Sequence, residues 1–260
     1  MTPARLPISN SSFPMTARSS TAAIIRESFF SITIAAIIIT LWLFTAYASL
    51  FVLPNAKEMP LYAVIAVIAG RTFLHTGLFI LAHDAMHGSL MPAYPKVNDW
   101  AGRFILGIYS FLSFNRMTEC HHQHHRTPAQ DTDPDFYPVT FWPWYFQFMR
   151  AYIRDGQGAV IFWAMSFFFY PLILIFHVPL LNAALFWLLP QGLSSWQLFY
   201  FGTYRPHKKP VGGHTNAHRA TSSNVSPFLS FLSCYHFDYH WEHHQYPHLP
   251  WYKLPSVRRT

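Results

Sequence analysis

Eleven of the sixteen histidines fall into three short runs, and that crowding is the first chemistry the sequence offers. His83 and His87 stand in His-Asp-Ala-Met-His. His121, His122, His124 and His125 form His-His-Gln-His-His. His236, His240, His243, His244 and His248 crowd one later stretch around His240-Trp-Glu-His243-His244. On a helix, residues three and four apart share a face, so HxxxH sets two imidazoles side by side. HxxHH presents one imidazole below and two above, a geometry able to bridge two neighbouring metals. Eight neutral imidazoles gain little from one another without a metal. His83, His87, His121, His124, His125, His240, His243 and His244 are therefore the candidate ligands and the candidate catalytic residues. A catalytic zinc takes three protein ligands and keeps an open position. Eight or more histidines suit two metals, with positions left for oxygen. Imidazole accepts iron, copper, nickel or zinc, so the ligand type leaves the element open. His122, His177, His214 and His248 read as interfacial or core histidines. Asp84, Glu242 and the set Asp131, Asp133 and Asp135 can accept the outer ring N–H of a ligand and fix its tautomer. For those last three, loop capping and solvation is an equal reading.

Ligands from runs so far apart must be carried by rigid elements. The 260 residues are 52% hydrophobic, 18% aromatic and only 11% charged, against about 25% charged in an ordinary soluble domain. Much of the surface therefore faces something other than water. The net charge of +7 comes without a dense Lys/Arg run. That excludes nucleic acid as a partner and points to positive charge gathered at one membrane face. Cys120 and Cys234 form no disulfide framework and read as packing residues. Residues 1–22, rich in Ser, Thr, Pro and Ala, read as a flexible tail, and 23–260 as a single domain. Apolar runs predict spans at about 29–53, 61–82, 160–178 and 180–201. The first is too long for a signal-peptide core. The helix of span two should carry His83 and His87 out of the bilayer and stop at Gly88. Segments 99–114 and 136–149 read as elements lying in the interface. Arg71 is expected to snorkel to the outer surface, and His75 to make a core hydrogen bond. Sixteen of the 18 basic residues then lie on one side, in the tail and in segments 83–157 and 203–260. The positive-inside rule makes that side cytoplasmic, with both termini there. The expectation is an all-α integral membrane fold: four transmembrane helices with a cytoplasmic histidine-rich cap.

The sequence has no GxGxxG after a strand, no phosphate loop and no GxSxG. Electrons for oxygen chemistry must therefore come from a partner. His-Asp-Ala-Met-His at 83–87, His-His-Gln-His-His at 121–125 and His-Trp-Glu-His-His at 240–244 resemble, in order and side, the three histidine boxes of the membrane fatty-acid desaturase and hydroxylase superfamily. The resemblance covers about residues 24–255. HDAMHGSL at 83–90, HHRTPAQDTDPDF at 124–136, FGTYRPH at 201–207 and CYHFDYHWEHHQYPHLPWYKLP at 234–255 are similar to the prokaryotic β-carotene ketolases. That resemblance implies a non-haem di-iron centre using O2 and a donor such as reduced ferredoxin. It also implies a carotenoid drawn from the bilayer lipid and oxidised at C4 of its β-ionone rings, so that β-carotene becomes echinenone and canthaxanthin. Desaturase-type sites use one more histidine between the last span and the third box. His218 is the first candidate for it and His207 the second. A fatty-acyl desaturase or a carotenoid ring hydroxylase would share the boxes. A transition-metal transporter is the alternative of a different class, and it would need polar groups within the spans.

Overall fold

The structure, a computed structural model, describes residues 20–258, and no strand occurs among them. The first nineteen residues of the expected tail lie outside the described part. Helix α1 (Thr21–Tyr47) begins inside the segment read as tail, because the Ser20 side chain accepts from Ala23 N and caps it. A π turn, Ala48–Val52, prolongs it. Small residues Ser28, Ser31 and Ala35, with Ile38, are buried at three- and four-residue spacing, and α1 packs against α2. Phe30, Phe44 and Tyr47 remain exposed on the run.

Helix α2 (Leu61–Met86) is the centre of the fold, touching α1, α3 and α7. Its second half is buried on nearly all sides, as expected of a helix apolar around its whole circumference. It ends in a Schellman motif. Gly88 takes φ +71°, its N–H donates to Ala85 O (3.1 Å), and Ser89 N–H donates to Asp84 O (2.9 Å). His83 and His87 are thereby fixed one turn apart at the helix end. Helix α3 (Pro95–Ser110), read from the sequence as an interfacial element, packs one face against α2, burying Asn98, Gly102, Ile105, Leu106 and Tyr109, and leaves Val97, Trp100 and Phe104 exposed. Asn98 anchors it, donating to Ala85 O (2.8 Å) and accepting from Met91 N (3.1 Å). Gly102 permits the close approach, because a Cβ there would stand 2.8 Å from the Ala85 Cβ and against the Phe114 ring. Gly102→Val is therefore expected to cost about 1–3 kcal/mol of stability, read as a lower thermal midpoint in detergent. An unchanged midpoint would mean that α3 can back away from α2.

Helix α4 (Phe114–Arg126) carries the second histidine run, and α5 (Phe141–Ile153) tolerates Pro143 in its first turn. Helix α6 (Gln157–Leu174) buries only Gln157, which ties it to the α3–α4 turn through Ser113 N (3.1 Å) and Phe111 O (2.9 Å). Residues 180–207 form one helical run, α7, made of Leu180–Ala183, a π turn at Ala184–Leu188, Leu189–Phe199, a second π turn at Tyr200–Tyr204, and Arg205–His207. Helices α8 (Pro227–Cys234) and α9 (His240–Gln245) complete the cap, followed by a 3-10 turn at Trp251–Val257.

Among the described residues, three stretches are long and apolar enough to cross a membrane: Thr21–Val52, Leu61–Met86 and Gln157–Leu174. The expected fourth lies in α7, whose two π turns interrupt it. Arg71 does not snorkel. It is 2% exposed, donating through Nε to Phe186 O (3.1 Å), inside a π turn, and through Nη1 to Trp42 O (2.7 Å). These carbonyls, one of them in a π turn, take the place of water. His75 accepts from Trp42 Nε1 (3.2 Å), a core hydrogen bond.

Candidate metal centre

Four helix ends converge on one spot. The Schellman stop of α2 delivers His83 and His87, the last two turns of α4 deliver His121, His124 and His125, α7 ends on His207, and α9 supplies His240, His243 and His244. The entry to α9 is held by a turn in which Tyr235 and His236 both take positive φ, +51° and +62°. Asp238 fastens that turn by accepting from the hydroxyls of Ser223 and Ser230.

The imidazoles sort into two groups. His83, His87, His121 and His243 form one, and His124, His207, His240 and His244 the other; within each, the four ring nitrogens lie within 4.8 Å of one another. Helical register makes the division. In α4 the i, i+4 pair His121 and His125 faces the first group and His124 the second. In α9 the i, i+4 pair His240 and His244 faces the second group and His243 the first. His125 Nε2 lies 3.1 Å from His121 Nε2 and 2.9 Å from His243 Nε2, adjoining the first group as a fifth imidazole.

The donor chemistry fits a cation in each group. Asp133 accepts from His124 Nδ1 (2.9 Å) and Arg219 O accepts from His207 Nδ1 (3.0 Å), so both rings turn Nε2 lone pairs inward. His240 Nε2 lies 3.0 Å from both His207 Nε2 and His244 Nε2, and His244 Nε2 lies 3.2 Å from His124 Nε2. Nitrogens bound at about 2.0–2.1 Å to one ion stand roughly 2.9–3.4 Å apart. As hydrogen bonds the same contacts satisfy the rings poorly, since each neutral imidazole has a single proton. His83 Nε2 is buried with no hydrogen-bond partner. Burial first, and then neighbouring imidazoles, hold His121, His125, His240, His243 and His244 well below the ordinary histidine range, which keeps them neutral lone-pair donors. His124 moves the other way: burial pulls it down, but the hydrogen bond and charge of Asp133 outweigh this and raise it.

His218, the first candidate for the extra histidine, stands outside both groups, with Nε2 3.0 Å from Gln245 Oε1. His207, the second candidate, lies in the second group, because continuous helix carries it inward whereas His218 sits in the loop beyond. His122 Nε2 donates to Met86 O (3.0 Å) and belongs to neither group. Of the acidic residues, Asp133 holds the His124 ring. Asp84 accepts from Trp251 N (3.2 Å), and its Oδ1 lies 3.9 Å from His83 Nδ1. Glu242 accepts from the Ser222 hydroxyl. Asp131 is exposed, in keeping with the solvation reading.

A cavity of about 270 Å³ reaches the histidines, with His83, His121, His124 and His240 in its wall. It also touches His75, two helical turns before His83, so it runs roughly 12 Å along α2. Phe79, Leu112, Phe148 and Ile161 make much of the remainder apolar. Tyr152, which no sequence motif singles out, lines it too and donates to Asp135 Oδ1 (2.5 Å).

Known proteins place this architecture. A β-carotene ketolase of Paracoccus sp. (strain PC1) is 36% identical over 239 residues, covering 90% of this chain and 94% of the relative. A zeaxanthin 4-ketolase of Chlamydomonas reinhardtii is 37% identical over 253 residues, covering 90% of this chain and 54% of that longer protein. A β-carotene ketolase of Haematococcus lacustris is 37% identical over 205 residues, covering 75% and 62%. The profile of the fatty acid desaturase family matches residues 58–173 and 146–260. With three apolar helices of spanning length among its described residues and its histidine runs gathered beside the end of α2, the chain is a membrane protein that belongs to the fatty acid desaturase family.

Proposed function

We propose that the chain is a carotenoid ketolase, an O2-dependent enzyme that oxidises C4 of β-ionone rings and takes β-carotene to echinenone and canthaxanthin. The observation that carries this reading is the pair of histidine groups set in the wall of an apolar cavity. The ketolase names of relatives aligned along most of the chain supply the substrate. Iron held by the two groups would supply the activation of O2 needed to insert oxygen into a C–H bond. The chain does the rest. Asp133 and Arg219 O orient His124 and His207. The apolar wall keeps water from the reacting carbon. The cavity of about 270 Å³ takes one ring of a forty-carbon polyene while its chain stays in lipid. C4–H becomes C4–OH and then a geminal diol, which loses water to leave the ketone. Each oxidation consumes one O2 and two electrons, drawn from an external carrier such as reduced ferredoxin.

The same reading gives α7 as the fourth span and sets the histidine cap on the cytoplasmic side, within a single domain from residue 23 onward. Expression in cells that accumulate β-carotene, followed by pigment chromatography, tests it. Echinenone and canthaxanthin are expected. Zeaxanthin would make the chain a ring hydroxylase, and unchanged β-carotene beside well-expressed, iron-loaded protein would remove the carotenoid altogether.

A further inference from the structure

Within the mostly apolar cavity, Asp135 is the one acidic side chain among the described lining residues, and it is 6% exposed. Its main chain is pinned on both sides. The N–H donates to Asp133 Oδ1 (2.9 Å), and the carbonyl accepts from Trp144 Nε1 (2.7 Å). The Tyr152 hydroxyl fixes Oδ1 at 2.5 Å. No donor among the described residues reaches Oδ2. A nitrogen of His124 and an oxygen of Asp135 lie within 4.8 Å, so the carboxyl borders the second histidine group. A buried carboxyl is costly unless its oxygens are used. The loop does not require it, because Asp133 and the Asp135 main chain already fasten that segment.

We propose that Asp135, oriented by Tyr152, accepts the hydroxyl hydrogen of the half-oxidised ring and keeps the 4-hydroxy product in the cavity for its second oxidation. A carboxyl group has an oxygen able to accept that hydrogen in either protonation state. β-Carotene carries no hydroxyl, so the contact is absent in the first oxidation and present in the second. In that second step the remaining C4–H bond becomes C4–OH. One O2, two electrons from the external carrier and two protons are consumed, and one water is released. Loss of a further water from the diol gives the ketone. The inference rests on the ketolase reading.

Asp135→Ala and Tyr152→Phe, expressed in cells accumulating β-carotene, test it through three readouts: the ratio of 4-hydroxy to 4-keto rings, total β-carotene consumed, and iron per purified chain. Losing a net hydrogen bond corresponds to about two- to tenfold in retention, so Asp135→Ala should raise the ratio of 4-hydroxy to 4-keto rings by about that factor in protein carrying its normal iron, with consumption read alongside to normalise it. Tyr152→Phe should move the ratio the same way by less, and it decides alone if Asp135→Ala does not fold. An unchanged ratio, or a drop in bound iron showing that the carboxylate is itself a ligand, overturns the proposal. A wild type that makes no ketone overturns the ketolase reading along with it, whereas normal ketone at an unchanged ratio removes only the hydroxyl site.

Discussion

His124→Ala is expected to abolish ketone formation and to lower bound iron, with the loss falling on the group of His124, His207, His240 and His244. The substitution isolates the ligand from the scaffold. Asp133 loses one donor but keeps the N–H groups of Ala129 (2.8 Å) and Asp135 (2.9 Å), so the loop after α4 has its main anchors left. The α4 helix itself should tolerate alanine, the best helix former. Activity should therefore fall by more than the chain's thermal stability explains. Pigment chromatography read beside iron analysis of purified protein checks it. Full turnover at normal iron would take the second histidine run out of the centre.

Asp133→Asn should lower iron affinity by about 10–100-fold while leaving the ligand set complete. Its carboxylate now takes three donors: His124 Nδ1, Ala129 N and Asp135 N. An asparagine can offer its NH2 to His124 Nδ1. That lets the ring move its proton to Nε2, where the lone pair for the metal should be. The change is almost isosteric, but whichever way the amide turns, its NH2 meets the backbone N–H of Ala129 or of Asp135, so the thermal midpoint is read beside the iron titration to separate loop loosening from the change of tautomer. Activity measured against added iron should show a midpoint shifted to higher iron and a largely restored plateau. A midpoint equal to that of the unaltered protein would reduce Asp133 to a loop fastener.

Much of this centre was legible in the sequence because it is local. HxxxH and HxxHH spacings state which imidazoles share a helix face, and Gly88 marks where α2 must stop. Two kinds of information were not local. Position ranks His218 ahead of His207, and what reverses the order is that helix runs on through 200–204 to His207 and ends before His218. Likewise, Asp131, Asp133 and Asp135 are the same residue type in one short run. Only the folded loop gives them three roles: Asp131 exposed to solvent, Asp133 on a histidine ring, Asp135 in a cavity wall. Arg71 was misread for a related reason. The carbonyl of Phe186 that satisfies it lies in a π turn, and nothing in the residue types announces that turn.

The allotment of histidines by α4 and α9 has a consequence for inheritance. Each helix gives a pair to one histidine group and a single ring to the other, in opposite senses. Inserting or deleting one residue ahead of either run would swing its rings by about 100°, emptying places in both groups at once. Insertions and deletions therefore cannot unmake one site and spare its neighbour. A descendant keeping only one histidine group would have to arise by substitution at individual histidines, leaving the length of both helices as a record of the pair.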